Sequence, residues 1–378
     1  MFDRIVGLGA AVEESFRGLR ISVDVALLNA ASFRMKWFSV MTVSVACFLA
    51  CALHATTVQG GRNYARTITQ GDISRTFTLF VPSDYRPNET APLVFNFHGW
   101  GSTRARQMEL TDMNAVAESE GFLVVYPQSD GASWNVFAEP DRADDLDLVT
   151  KILDEVALDF PFDATRVYAT GYSNGGSMAY FAAQSMPDKI AAVASAAGTM
   201  PEWDNAGHVS SVGVVSAPTT SRPLPVMHVH GTSDQTVRYR GGVSGNSGYR
   251  YPDVERVLSA WAENNGCNAD PLETPLLDAD PTDRSTVVRF DYSDCSTYLT
   301  ADGAVRTAEL VHLRINSGGH VWPSDGSWPA GLGVVNHDIN TSREMWRFLS
   351  NHTLPVPEPS SATLMVCGLL SGLLMRRR

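Results

Sequence analysis

Two hydrophobic patterns alternate between residues 56 and 355. Short continuous apolar runs at Pro92–Phe97, Phe122–Tyr126, Arg166–Thr170, Ile190–Ala194, Leu224–His230 and Leu310–Ile315 have strand length. Between them, residues 103–120, 143–160, 174–186 and 336–351 repeat their apolar positions at helical spacing. Strands that are apolar throughout are buried on both faces, so the alternation predicts a mostly parallel sheet with helices on either side, an α/β fold. Functional groups in such sheets gather in loops at the carboxyl ends of the strands.

The two ends carry different patterns. Met35 and Lys36 open an apolar stretch, Phe38–Leu53, preceded by Arg34 and followed by small residues at Ala50, Ala52 and Ala55. This order is that of a secretory signal peptide over residues 35–55, cut near Ala52 or Ala55; a membrane anchor or a buried helix is the alternative. A lipid attachment at Cys51 fits its preceding residues poorly. Residues 1–34 read as an upstream extension, with Met35 the expected start. At the other end, Val356-Pro357-Glu358-Pro359-Ser360 leads into an apolar run, Ala362–Met375, and a tail of Arg376, Arg377 and Arg378. A proline-rich break, a short apolar segment and a basic end form a stop-transfer pattern. Residues 356–378 resemble the PEP-CTERM sorting signal of Gram-negative bacteria. That resemblance implies a signal peptidase and an exosortase-type enzyme as processing partners. The alternative is a plain C-terminal anchor. Either way the domain at 56–355 is exported to the extracellular space or cell surface, with membrane contact only through its terminal signals.

Composition narrows the classes further. With 44% hydrophobic and 19% charged residues the chain is of ordinary globular make-up, not disordered. Its net charge of −12 leaves no basic surface for phosphates, so no nucleic-acid partner is expected. Five cysteines are too few for a disulfide scaffold. Cys267 and Cys295 alone fall within 56–355, and in an exported domain they are expected to pair; two buried free thiols are the alternative.

Chemistry enters at Gly171-Tyr172-Ser173-Asn174-Gly175, a G-x-S-x-G between a strand and a helix. The flanking glycines suit a turn too tight for a Cβ, which lifts the Ser173 hydroxyl clear of the sheet. A serine needs a base, and the base an orienting carboxylate. His230-Gly-Thr-Ser-Asp234 and Ser317-Gly-Gly-His320 follow later strands, so the order is Ser173, Asp234, His320. In this assignment His320 takes the serine proton and Asp234 fixes its tautomer. The backbone N–H groups of Asn174 and Trp100, in His98-Gly99-Trp100-Gly101-Ser102, are the expected oxyanion donors. Asp253 and Asp291 are weaker acids because neither follows an apolar strand. His228 and His230 form an H-x-H pair with no third ligand cluster, and His312 lies inside a strand, so all three read as structural. Asp141, Asp144, Asp145 and Asp147 lack calcium-loop spacing and read as a solvated helix start.

These segments, with Asp144-Asp-Leu-Asp-Leu-Val149 and Gly318-Gly-His-Val-Trp-Pro323, resemble the secreted α/β-hydrolase esterases that include polyhydroxybutyrate depolymerase-like, feruloyl and acetylxylan esterases. The resemblance runs from about Arg75 to Asn351. It implies an α/β-hydrolase fold, a cysteine pair like Cys267 and Cys295, an acyl-enzyme, and no cofactor or metal. Trp100 departs from it, since many relatives carry a small residue or cysteine there. So does the Gly207–Pro223 insert, a lid or a long surface loop. Trp100, Trp134 and Trp322 are expected to line the cleft as substrate contacts. The expected substrate is a feruloyl or acetyl ester borne on polysaccharide, with polyhydroxybutyrate as the alternative. A non-catalytic matrix protein has no need of the three residues in order, and a serine peptidase fits the resemblance less well.

Overall fold

A computed structural model of the chain describes residues 60–200, 220–244, 250–324, 326 and 328–356. The upstream extension, the leader, the sorting signal beyond Val356 and most of the Gly207–Pro223 insert lie outside these residues. The described chain opens with a hairpin, β1 (Arg62–Gln70) and β2 (Ile73–Val81), which turns at Gly71 with φ +58°. Next come β3 (Ala91–Phe97), α1 (Arg104–Thr111), α2 (Met113–Glu120) and β4 (Leu123–Pro127). They lead to α3 (Asp145–Asp159), β5 (Phe162–Tyr172), α4 (Asn174–Ser185), β6 (Ala192–Ala196) and β7 (Val226–Gly231). A small pair, β8 (Gly242–Val243) and β9 (Arg250–Tyr251), precedes α5 (Val254–Asn264). The remaining strands are β10 (Leu272–Pro275), β11 (Thr286–Tyr292), β12 (Thr297–Leu299), β13 (Val305–Thr307) and β14 (Leu310–Asn316). Helix α6 (Thr341–Leu349) closes the series.

Ten strands form one sheet in the order β1-β2-β4-β3-β5-β6-β7-β14-β11-β10. From β4 to β14 every neighbouring pair is parallel; β1 and β2 on one edge and β11 and β10 on the other run antiparallel. The six parallel strands are the six apolar runs. Their side chains alternate between two cores, as a two-residue period requires. Leu93, Phe95 and Phe97 of β3 pack with α3, α4 and α5, whereas Val94 packs with α2 and α6. The doubly covered parallel sheet follows from that alternation.

Three elements differ from the pattern in the sequence. Residues 103–120 form two helices rather than one, because Asp112 adopts φ +47° and ends α1 where α2 begins. Helix α6 starts only at Thr341, capped by the Asn340 side chain, while Asn336 is spent on Ser285 and Asp338. The outermost strands β1 and β10 leave no apolar run because they are polar and largely exposed, as in β10, whose four residues are all exposed. Cys267 and Cys295 are joined in a disulfide, which ties the end of α5 to the turn after β11.

Burial also sets a pH dependence. His98, His312 and His352 lie inside the fold, and burial pushes them from 6.5 down to about 4, 3 and 3 respectively. The unfolded chain takes up these protons near pH 6.5 while the folded chain refuses them. Their contribution to stability is therefore complete above that pH and is lost as pH falls through the folded values. Each unit of separation is worth about 1.4 kcal/mol. The melting temperature should hold steady down to about pH 7 and then drop steeply towards pH 4. A melting curve unchanged between those two points would overturn this account of the buried imidazoles.

Candidate active site

The site is built where β5 becomes α4. Ser173 joins them with φ +56° and ψ −121°, a backbone conformation that costs a residue with a Cβ about 1–3 kcal/mol. Tertiary packing holds it there: its N–H donates to Ala196 O at 2.9 Å, and its carbonyl accepts from Ser177 N at 3.1 Å. The turn is also tight from both sides. A Cβ on Gly171 would lie 2.2 Å from Gly175 O, and one on Gly175 would lie 2.0 Å from Phe97 O. Only glycine fits at either position.

Asp234 follows β7 and His320 follows β14, which are adjacent strands of the sheet. Ser173 Oγ lies 2.9 Å from His320 Nε2, and His320 Nδ1 lies 2.6 Å from Asp234 Oδ2. A carboxylate can only accept, so Nδ1 carries the hydrogen and Nε2 is left to accept from the serine hydroxyl. Asp234 Oδ1 takes N–H bonds from Thr236 at 2.7 Å and Val237 at 2.8 Å. Burial opposes the charge on Asp234, yet hydrogen bonds from His230 and His320 hold its carboxyl well below the usual carboxylate range. The loop of His320 is pinned by its N–H to Leu332 O at 2.6 Å and by Tyr172 Oη donating to His320 O at 2.6 Å. Asp253, by contrast, caps α5, and Asp291 pairs with Arg289 on β11.

Trp100 and Asn174 border the same cleft, of about 180 Å³, together with Ser173 and His320. The Asn174 backbone N–H is the first of α4, where a helix presents donors and favours negative charge. The Asn174 side chain turns away from that end, and its Oδ1 accepts from Trp134 N at 2.9 Å. Trp100 is 42% exposed beside the cleft. Trp134 and Trp322 do not line it. Trp134 is 1% exposed, donates Nε1–H to His98 O at 2.7 Å and meets Phe97 edge-on. Trp322 is fully buried, and its indole donates to Ser342 Oγ at 3.2 Å. Both expectations of substrate contact are corrected: these rings pack behind the loops that carry the site. The cleft walls are instead completed by Tyr172, Val237, Tyr251 and Leu332. Nothing local in the sequence marks Tyr251 or Leu332, since each arrives from a separate excursion of the chain.

A second correction concerns the acidic run. Asp144 does cap α3, accepting from Leu146 N and Asp147 N. Asp145 is not solvated, however, but buried against Arg75 with 2.7 Å between Arg75 Nη2 and Asp145 Oδ1. Burial outweighs that partner and pushes the Asp145 carboxyl above its ordinary value. The pair anchors the loop beneath the site, as Asp145 Oδ2 accepts from Asn135 N and Arg75 donates to Gln128 O.

The parallel sheet, its covering helices and the sharp strand–serine–helix turn make this an α/β-hydrolase fold. A family model described as "Putative esterase" matches residues 70–244. Among curated proteins, the chain is 32% identical to a bifunctional acetylxylan esterase/xylanase of Neocallimastix patriciarum over 168 residues, 44% of this chain and 22% of that one. It is 26% identical to feruloyl esterase B of Piromyces equi over 247 residues, 63% of this chain and 41% of that one. The chain thus spans less than half the length of either relative. Among solved structures, an acetyl xylan esterase from Aspergillus awamori shares the fold, with a TM-score of 0.50 at 16% identity over 76% of this chain and 99% of that one.

The two kinds of tryptophan can be told apart. Trp134→Ala should cost ~3–5 kcal/mol of stability, as loss of a large buried ring does. Trp100→Ala should cost clearly less stability than Trp134→Ala while altering turnover of bulky esters. Thermal melts and Michaelis–Menten constants on both variants check this; a Trp134→Ala protein as stable as wild type would contradict the packing role.

Proposed function

We propose that the chain is a serine carboxylic ester hydrolase working through an acyl-enzyme. The observation that carries the reading is the unbroken line of hydrogen bonds from Ser173 Oγ through His320 to Asp234, at 2.9 and 2.6 Å. Esterases among its relatives by sequence favour an ester over a peptide. In the reaction Ser173 Oγ attacks the ester carbonyl carbon as its proton passes to His320 Nε2. The oxyanion that forms is met by the backbone N–H groups of Asn174 and Trp100, worth roughly 3–4 kcal/mol each. Asp234, already ionised, stabilises the imidazolium without taking its proton. His320 then protonates the departing alcohol, and water, deprotonated by the same imidazole, releases the acid. No metal or cofactor enters this scheme.

The substrate we propose is a feruloyl or acetyl ester carried on polysaccharide. The exposed Trp100 beside the cleft supports an aromatic acyl group or a sugar as the bound moiety. We further propose that residues 56–355 act outside the cell of a Gram-negative bacterium after removal of the leader and processing of the tail at 356–378. The disulfide suits that oxidising setting.

Ser173→Ala and His320→Ala should abolish nearly all ester hydrolysis with unchanged folding, and Asp234→Asn should lose about 10⁴-fold in kcat. Near-wild-type turnover in Asp234→Asn would remove it as the acid. Substrate class is decided by release from methyl ferulate, acetylated xylan and amorphous polyhydroxybutyrate. The first two should be hydrolysed; clearing of the polyester alone would reverse the assignment.

A further inference from the structure

Behind Asp234 lies a row of buried aromatic side chains that the scheme above leaves unused. His230 is 1% exposed, and its Nε2 lies 2.8 Å from Val237 O and 3.3 Å from Asp234 Oδ2. Its Nδ1 lies 3.1 Å from His228 Nε2, and His228 Nδ1 lies 2.9 Å from Tyr180 Oη. With the imidazoles each bearing a single hydrogen, these contacts admit one arrangement. Val237 O can only accept, so His230 carries its hydrogen on Nε2. Its Nδ1 must then accept from His228 Nε2–H, which leaves His228 Nδ1 to accept from the Tyr180 hydroxyl. A side branch obeys the same rule: His312 Nδ1 donates to His228 O at 3.0 Å, and its Nε2 faces Tyr239 Oη at 3.0 Å. Each imidazole has one hydrogen and one acceptor nitrogen, and each is matched.

From this geometry we infer that His230 is a positioning residue for the proposed acid, directed by the row Tyr180–His228. The inference rests on the esterase reading of Ser173, His320 and Asp234. The His230 Nε2–H sits between the carbonyl of Val237 and Oδ2 of Asp234, the same oxygen that takes His320 Nδ1–H. It therefore ties both ends of the turn Asp234–Val237, whose inner bonds run from Thr236 N and Val237 N to Oδ1. Val237 also walls the cleft, so the turn that aims the acid shapes the substrate pocket as well. An N–H dipole at Oδ2 draws charge away from the side facing His320. The titratable and charged groups around His230 are Asp234, His228, His312, the Tyr239 ring and Arg314, which pairs with His230 in register on β14.

His230→Phe keeps a ring but removes the N–H, whereas His230→Gln returns a donor at similar reach. With p-nitrophenyl acetate as substrate, His230→Phe should lower kcat by about 10–100-fold with KM within about twofold. The acid limb of its kcat/KM profile should move up by about half a pH unit, because a carboxylate with one donor fewer holds protonated His320 more strongly. His230→Gln should recover most of both. A His230→Phe enzyme matching wild type in kcat and acid limb overturns the inference. So does a His230→Gln enzyme as impaired as His230→Phe, which would mark a role in packing alone. Nitrogen-15 NMR of histidine-labelled wild type, assigned against His230→Gln, tests the hydrogen arrangement without turnover or a destabilised variant. The Nε2–H tautomer is expected at both His228 and His230, and the Nδ1–H tautomer at His230 overturns the inference. If wild type hydrolyses no ester, the proposed function fails while the tautomer result still stands or falls by itself.

Discussion

The whole arrangement hangs on one backbone constraint, the positive φ of Ser173 between a central strand and the helix that follows it. A serine held in that conformation springs back unless its surroundings over-determine it. Here they do so by close approach, since the Gly171 and Gly175 backbones pass where side chains would collide with Gly175 O and Phe97 O. The contact between α4 and the end of β3 is what brings Phe97 O so near. The following residues of that chain, His98 to Ser102, are thereby delivered beside the serine as the second wall of the site. One tight turn thus fixes the hydroxyl, the start of the helix and the loop expected to share the oxyanion.

A second tier of buried polar groups stands beneath these loops. Arg75 and Asp145 pair at 2.7 Å and extend to Gln128 O and Asn135 N, while Trp134 bridges His98 O and the Asn174 side chain. A buried ion pair contributes little net stability, because desolvation offsets the attraction, but breaking it strands a charge. Its value lies in holding irregular backbone to one geometry. The histidine row behind Asp234 ties the turn Asp234–Val237 in a similar way, through His230 Nε2 near Val237 O and Asp234 Oδ2. Both loop systems are held by buried hydrogen bonds, which keep irregular backbone beside the cleft in place without a regular element of their own.

Much of this was legible in the amino-acid sequence, and much was not. The six parallel strands can be read because burial on both faces writes itself as an unbroken apolar run. Ser173, Asp234 and His320 can be picked out because each follows such a run, where a parallel sheet collects its functional loops. Edge strands such as β10 carry no such mark, since an exposed strand is selected for polarity. The break at Asp112 is hidden because apolar spacing continues through it in register. Trp134 and Trp322 resemble substrate contacts by their proximity in sequence to site loops. A large ring near a loop can face either side of it, and only packing decides which. Asp145 reads locally as a solvated helix start, since its partner Arg75 lies seventy residues away.

Sequence by itself therefore determined the layered α/β architecture, the strand–serine–helix turn and the order of the three polar residues, because each is written in local periodicity or in a short motif. Tertiary structure alone decided which tryptophan meets the cleft, which carboxylate is buried and how Tyr180, His228 and His230 line up behind Asp234. Those outcomes depend on which distant segments share a face of the sheet. Pairwise contact across the fold, unlike hydrophobic period, leaves no local trace in the chain.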